Sequence, residues 1–288
     1  APYIPYLKEG VLRRMMINSG ETGMQDPGNI DYFQLDKPII TSRVFYPRPD
    51  MSKFPAQGAQ NLYIPVEDGV QLMARAHLAS AQGAHILFFH GNGEIVSDYD
   101  QLGQVYKQLD ISFIPVDYRG YGKSTGSPSL TWMLRDAHLT LDFVRSWLKE
   151  QDRTGPLLVM GRSLGSACAL ELASKRQQEF SGLIIESGFA YTMPLLRLLG
   201  IDVESMGLDE SQGLGNLDKM GLVKLPCLIM HAELDQIIPI SEARALYQAC
   251  PAEEKAFQEI AGANHNDIFL RDLQGYMAAI QELVSKVQ

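Results

Sequence analysis

The stretch L-L-V-M-G-R-S-L-G, residues 157–165, decides the fold of this chain. An apolar run opens it, and small and apolar residues at helical spacing follow it, which predicts strand, sharp turn and helix with Ser163 at the apex. A side chain two positions before or after the serine would crowd so sharp a turn, and glycine stands at 161 and 165. The stretch therefore predicts a nucleophilic serine whose neighbour, Leu164, has a free N–H at the start of a helix.

The composition indicates a globular chain of ordinary core size. Of its 288 residues, 45% are hydrophobic and 20% are charged, and the net charge is −9. Binding to nucleic acid needs clustered Lys and Arg, which this acidic chain lacks. No apolar run reaches the roughly 18 residues of a membrane-spanning helix, so no transmembrane segment is expected. The first five residues lack the basic leader and apolar core of a signal peptide.

Cysteine usage favours a reducing compartment. Cys168, Cys227 and Cys250 are an odd number, and two of them lie in predicted buried elements, which does not suggest a disulfide framework. We therefore expect a cytoplasmic protein.

Outside the serine stretch, the chain divides into an extension and an α/β domain. Residues 1–60 contain seven prolines, and we interpret them as an extension packed on the core, with a short helix near residues 8–17. From residue 61 to 288, short apolar strands alternate with helices, which predicts a parallel sheet covered on both faces. Residues 189–222 are too long for a simple crossover, so we expect a small cap there.

A serine hydroxyl needs a base within hydrogen-bond reach, and His265 is the best candidate among six histidines. It lies in a polar loop between the last predicted strand and the last helix. Five histidines fit less well because they lie in or beside strands or on a helix: His77, His85, His90, His138 and His231. In open α/β sheets the carboxyl ends of the strands hold the ligand site, and His265 follows such an end.

Asp235 is the favoured carboxylate partner of that histidine. It follows a predicted strand by one short turn, and the order Ser163, Asp235, His265 is the order of nucleophile, acid and base in α/β-hydrolases. Glu186 is the alternative acid, because it also ends a strand beside the serine strand. We interpret Glu186 as a structural group.

The oxyanion of an acyl-transfer reaction needs fixed hydrogen-bond donors. We expect the Leu164 N–H to be one donor and the Asn92 N–H to be the other, because Gly91 and Gly93 let that backbone approach a ligand closely. Whether the Asn92 side chain helps is left open by the sequence. No H-E-x-x-H or C-x-x-C motif occurs, so no metal site is expected.

Three motifs resemble those of the α/β-hydrolase superfamily: H-G-N-G at 90–93, D-Y-R-G-Y-G-K-S at 117–124 and G-R-S-L-G at 161–165. With Asp235 and His265, they make the chain similar to the small-cap serine hydrolases related to the abhydrolase-domain proteins, over roughly residues 60–288. The resemblance implies a mostly parallel eight-stranded sheet with one antiparallel strand near its start. It also implies ester or thioester hydrolysis through an acyl-enzyme, without a cofactor. The extension has no Cys cluster for membrane anchoring, which argues against a palmitoyl-protein substrate.

The sequence thus predicts a soluble serine hydrolase with Ser163, Asp235 and His265 as triad, acting on a small-molecule or acyl substrate. Two alternatives stay open. The same triad cleaves amides in peptidases, and a non-catalytic binding protein can share this fold. The oligomeric state is not fixed by the sequence.

Overall fold

An eight-stranded sheet forms the centre of residues 31–288 in the computed structural model, which describes residues 30–288. Its spatial order is β1-β2-β4-β3-β5-β6-β7-β8. β2 runs antiparallel to both of its neighbours, and all pairs from β4 to β8 are parallel. The predicted mostly parallel sheet with one antiparallel strand is confirmed. The strands are β1 (Ala59–Glu67), β2 (Val70–His77), β3 (Ala84–Phe89), β4 (Ile111–Val116), β5 (Leu157–Arg162), β6 (Gly182–Glu186), β7 (Cys227–Ala232) and β8 (Lys255–Ile260).

Helices cover both faces of the sheet, as predicted. The α-helices in the described residues are α1 (Pro38–Val44), α2 (Asp100–Gln108), α3 (Leu130–Glu150), α4 (Ser166–Arg176), α5 (Thr192–Leu198), α6 (Asn216–Met220), α7 (Ile240–Ala249) and α8 (Ile268–Val287). On one face, α2 and α8 bury Phe88, Phe113 and Tyr276 against the central strands. Neighbouring strand residues alternate in direction, so Val159 and Ile185 are buried on the opposite face, where α4 packs against β5 and β6.

One helix start differs from its prediction. The sequence pattern suggests a helix at 241–249 with Ser241 as its cap, whereas α7 begins at Ile240 and its N-cap residue is Pro239. Proline has no N–H to satisfy and its φ of −55° already suits a helix start. Ser241 therefore lies inside the first turn, and the predicted serine cap is wrong.

Residues 31–58 are tied to the body of this unit by buried side chains and a helix cap. Leu35 and Ile40 are fully buried, and the Asp36 carboxylate accepts the N–H of Leu130 at 2.7 Å at the start of α3. A carboxylate at a helix N-terminus satisfies free N–H groups and interacts favourably with the helix dipole. Residues 1–29, including the helix predicted near 8–17, lie outside the described residues.

Residues 189–222, where the sequence predicts a small cap, contain α5, a short 3₁₀ turn at Glu210–Gln212, and α6. The Glu210 carboxylate accepts the N–H of Thr192 at 2.5 Å and of Met193 at 3.0 Å, which closes the start of α5. The insertion also buries apolar side chains of its own, at Ile201, Val203, Leu208 and Leu214. It begins shortly after β6 ends at Glu186, so its first residues follow the carboxyl end of that strand.

Candidate active site

Ser163 stands on a sharp turn between β5 and α4. Its φ of +51° lies in the left-handed region that side chains rarely adopt. A Cβ at Gly161 would lie 2.3 Å from the Gly165 carbonyl oxygen, and a Cβ at Gly165 would lie 2.1 Å from the Phe89 carbonyl oxygen. Both distances are far below van der Waals contact. The two glycines are therefore what allows this turn to form with a serine at its tip.

The structure brings Ser163, His265 and Asp235 into one hydrogen-bonded chain. His265 Nε2 lies 3.0 Å from Ser163 Oγ, and His265 Nδ1 lies 2.7 Å from Asp235 Oδ2. The three residues are 8%, 6% and 7% exposed, so water has limited access to the chain of hydrogen bonds. With Nδ1 protonated and bonded to the carboxylate, Nε2 is left to accept the proton of the serine hydroxyl.

The loop after β7 holds the Asp235 carboxylate in one orientation. Asp235 Oδ1 accepts the N–H of Ile237 at 2.9 Å and of Ile238 at 2.8 Å, which leaves Oδ2 for His265. His231 fixes the same loop by donating from Nε2 to the Ile238 carbonyl at 2.7 Å. Burial acts to raise the pKa of Asp235, but the hydrogen bond from His265 and the backbone N–H groups outweigh it, so the pKa lies below its usual value. Asp235 is therefore ionised at neutral pH.

Glu186, the alternative acid, has other partners. Its Oε1 lies 3.0 Å from Arg162 Nε in an ion pair, and its Oε2 accepts the Tyr276 hydroxyl at 2.8 Å. Burial raises the pKa of Glu186, and Arg162 only partly offsets that effect. Both carboxylate oxygens are thus directed to a structural pair instead of to His265.

The loop after β3, residues 90–94, carries the second expected oxyanion donor. His90 Nδ1–H donates to the Gly91 carbonyl at 2.7 Å, and Glu94 Oε2 accepts the Gly91 N–H at 2.7 Å. In a trans peptide the N–H of Asn92 points opposite to the Gly91 carbonyl, so His90 fixes its direction. Among the hydrogen bonds within residues 30–288, none uses the N–H of Asn92 or of Leu164. Both donors remain available to a ligand.

Arg162 is a residue of the site that the sequence reasoning missed. Its guanidinium, almost completely buried, pairs with Glu94 Oε1 at 2.7 Å and with Glu186 Oε1 at 3.0 Å, and it donates to the His265 carbonyl at 2.7 Å. Burial acts against its charge, but the two carboxylates more than compensate, so its pKa is raised. One side chain thus joins the elbow to the loops of Glu94 and His265. The signal in the sequence is an arginine at the end of an otherwise apolar strand.

We expect Arg162→Met to lower the free energy of unfolding by about 3–5 kcal/mol, because it leaves the buried carboxylate of Glu186 and the partly buried one of Glu94 without their cation. Urea denaturation at neutral pH measures the change. The matched control is Arg244→Met, which removes an exposed ion pair with Glu259 and should change stability by less than about 1 kcal/mol. Equal effects of the two substitutions would contradict the role given to Arg162.

Comparisons with known proteins identify the family. A family model described as serine aminopeptidase, S33, matches residues 80–200. Protein bem46 of Schizosaccharomyces pombe is 30% identical over 208 residues, which cover 70% of this chain and 67% of that protein. Alpha/beta hydrolase domain-containing protein 17C of Xenopus tropicalis is 30% identical over 209 residues, covering 69% of this chain and 61% of that protein. The chain belongs to the α/β-hydrolase family.

A further curated relative and a solved structure are also similar to this chain. An uncharacterized membrane protein of Saccharomyces cerevisiae is 33% identical over 192 residues, covering 62% of each chain. The solved structure of an esterase of Pyrococcus furiosus superposes with a TM-score of 0.65 at 15% identity, covering 84% of this chain and 98% of the esterase, which shows the shared α/β-hydrolase fold. The chain spans about three fifths to two thirds of the length of the curated relatives it matches.

No helix within residues 30–288 combines the length and the apolar character needed to cross a bilayer. In the same range, no three His, Cys, Asp or Glu side chains are grouped so that they could hold a metal ion. Cys168, Cys227 and Cys250 are buried free thiols.

Proposed function

We propose that the protein is a serine hydrolase that cleaves a carboxylic ester or thioester through an acyl-enzyme. One observation carries this proposal: His265 lies 3.0 Å from the Ser163 hydroxyl on one side and 2.7 Å from the Asp235 carboxylate on the other. That is the geometry a base needs to take a proton from a nucleophile while an acid orients it. Membership of the α/β-hydrolase family supports hydrolysis as the reaction class.

In the proposed reaction, Ser163 Oγ attacks the acyl carbon while His265 Nε2 takes its proton. The tetrahedral intermediate then collapses, and His265 returns the proton to the departing alkoxide or thiolate. Water, deprotonated by His265, attacks the acyl-enzyme and releases the carboxylic acid together with free Ser163. Asp235 holds the imidazole in the correct tautomer and stabilises its charged form. The steps need no cofactor.

The oxyanion of both tetrahedral intermediates is assigned to the N–H groups of Asn92 and Leu164. The first is fixed by the Gly91 peptide plane, and the second lies at the start of the turn that leads into α4. Donors fixed before the reaction typically contribute about 10²–10³ in rate each. This assignment explains why the β3 loop carries glycines on both sides of Asn92.

We infer the substrate class from exposed apolar residues that lie near Asp235 and His265 along the chain. Leu234 and Ile237 flank Asp235, and Leu270 follows His265 by five residues; all three are exposed, at 56%, 40% and 88%. Apolar groups around a polar centre favour an acyl or aromatic substrate over a sugar. The cytoplasmic location stays a prediction, because the relative from Saccharomyces cerevisiae is named a membrane protein.

A peptidase or amidase is the second candidate, and the description of the matching family model as a serine aminopeptidase favours it. Because the triad chemistry is the same for amides, the preference for an ester or an amide substrate depends on protonation of the leaving group and on pocket shape. Nitrophenyl esters, acyl thioesters and aminoacyl nitroanilides with matched acyl groups separate the candidates. We expect higher kcat/KM on the esters and thioesters. A preference for the nitroanilides would favour the aminopeptidase hypothesis.

Labelling with a fluorophosphonate tests the nucleophile without any knowledge of the substrate. We expect one adduct on the folded protein, located at Ser163 by peptide mass spectrometry and absent after heat denaturation. A folded protein that neither reacts with the probe nor hydrolyses any ester, thioester or amide of the panel would overturn the proposed function and favour a binding protein on this fold.

A further inference from the structure

Residues 45–50, which we call the strap, run alongside the loop that carries the proposed oxyanion donor Asn92. Their first contact is with the side chain of Asn92. The Tyr46 N–H lies 2.8 Å from Asn92 Oδ1 and 2.8 Å from the Tyr121 hydroxyl oxygen, and that hydroxyl donates to Asn92 Oδ1 at 2.7 Å. Tyr121 is fully buried, so the carboxamide of Asn92 is held between the strap and a fixed ring.

The second contact holds the next peptide along the loop. Arg48 Nε donates to the Gly93 carbonyl at 2.6 Å, and its guanidinium also pairs with Asp98. Gly93 has a φ of +76° and no side chain of its own to pack. The strap thus restrains the loop at two points, the side chain of Asn92 and the carbonyl of Gly93.

The strap is itself anchored at both ends. Upstream, Val44 and Phe45 are buried. Downstream, Gly122 N–H donates to the Arg48 carbonyl at 2.9 Å, and Asp50 N–H donates to the Gly122 carbonyl at 3.1 Å. The Asp50 carboxylate then pairs with the fully buried Arg75 at 3.2 Å. A segment held at both ends can transmit restraint to the loop it contacts.

We propose that the strap is a positioning element of the active site, in which Arg48 and the Tyr46 N–H fix the Asn92 loop so that its oxyanion donor is set before substrate binds. The proposal rests on the serine hydrolase function proposed above. His90 and Glu94 hold the inner side of the same loop through Gly91, and the strap holds its outer side. Preorganised donors stabilise a transition state because they need no rearrangement during the reaction.

If Arg48 only stabilised the fold, its replacement would change unfolding and not kcat. The Arg48 and Asp98 side chains are 39% and 40% exposed, and exposed ion pairs contribute little to stability. If Arg48 matters through the loop, its loss lowers kcat with little change in KM or in unfolding. It also weakens binding of a trifluoromethyl ketone, whose adduct with the serine carries an oxyanion, more than binding of the ground-state ester.

The test compares Arg48→Met, Asn92→Ala and the double variant with wild type. Asn92→Ala removes the side-chain acceptor and keeps the backbone N–H. We expect each single substitution to lower kcat per fluorophosphonate-titrated site by about 10- to 100-fold, with KM within about threefold and with parallel loss of trifluoromethyl ketone affinity. The matched control is Arg145→Met, which removes the ion pair of a similarly exposed arginine, 44%, with Glu179 and should leave kcat unchanged.

Unchanged kcat per titrated site in both variants overturns the proposal, and so does a loss equal to that of Arg145→Met or a loss confined to thermal stability. These outcomes require an active wild type. A wild-type protein that neither hydrolyses the ester nor reacts with the fluorophosphonate overturns the proposed function itself, and the role of the strap falls with it. The two failures are therefore distinguishable in one set of measurements.

Discussion

Replacement of Ser163 by alanine is expected to lower kcat on nitrophenyl esters by about 10⁶-fold, to the level that binding and the oxyanion donors provide alone. The reason is that the proposed covalent intermediate needs the Oγ atom and that the hydroxyl of the nearest serine along the chain is already engaged. Ser166, the nearest serine along the chain, donates its hydroxyl to the Ser163 carbonyl at 2.6 Å and is fully buried. Stopped assays with purified variant at high enzyme concentration measure the residual rate.

The fold should survive this substitution, because it removes only the Oγ atom of Ser163. At φ +51° an alanine is as strained as the serine it replaces, so we expect the urea midpoint to change little. Loss of fluorophosphonate labelling together with an unchanged far-ultraviolet spectrum completes the expected result. Wild-type turnover in a clean Ser163→Ala preparation would remove Ser163 as the nucleophile.

The sequence could predict the sheet because its strands are short apolar runs that end in chemically distinct loops. The run Ile111–Val116 coincides with β4, since no polar residue except Ser112 interrupts it and polar loops bound it on both sides. The elbow could be predicted for a stronger reason. Gly161 is required by a backbone contact within the elbow itself, 2.3 Å to the Gly165 carbonyl oxygen, so this part of the constraint is local, whereas the contact that requires Gly165 is with Phe89 of β3.

Long-range side-chain pairing could not be predicted in the same way. Arg162, Glu94 and Glu186 lie on three separate segments, and nothing in any one segment states that their charges meet in the interior. The strap is a similar case, because the contacts of Tyr46 and Arg48 are to a loop about 45 residues away. Propensity and periodicity describe neighbours along the chain. Which buried charges pair with each other is determined only once the sheet has brought their segments together.

The choice between Asp235, the acid favoured by the sequence, and Glu186, its alternative, has the second largest expected effect. In Asp235→Asn the single amide oxygen would be needed by the N–H groups of Ile237 and Ile238, which leaves the NH₂ facing His265 Nδ1. The imidazole must then carry its proton on Nε2, where it faces Ser163 and cannot accept a proton. We expect kcat to fall by about 10⁴-fold, with the fold retained.

Glu186→Gln is the matched control, because it makes the same change from carboxylate to amide at the end of the neighbouring strand. Loss of the Glu186 charge weakens the ion pairing of Arg162, although Arg162 still pairs with Glu94 at 2.7 Å. We therefore expect lower stability but less than about a 10²-fold change in kcat. Measured kcat values at neutral pH, normalised to fluorophosphonate-reactive sites, compare the two variants directly. If Glu186→Gln suffers the larger loss in kcat while Asp235→Asn stays near wild type, the roles of the two carboxylates are reversed and Asp235 only supports its loop.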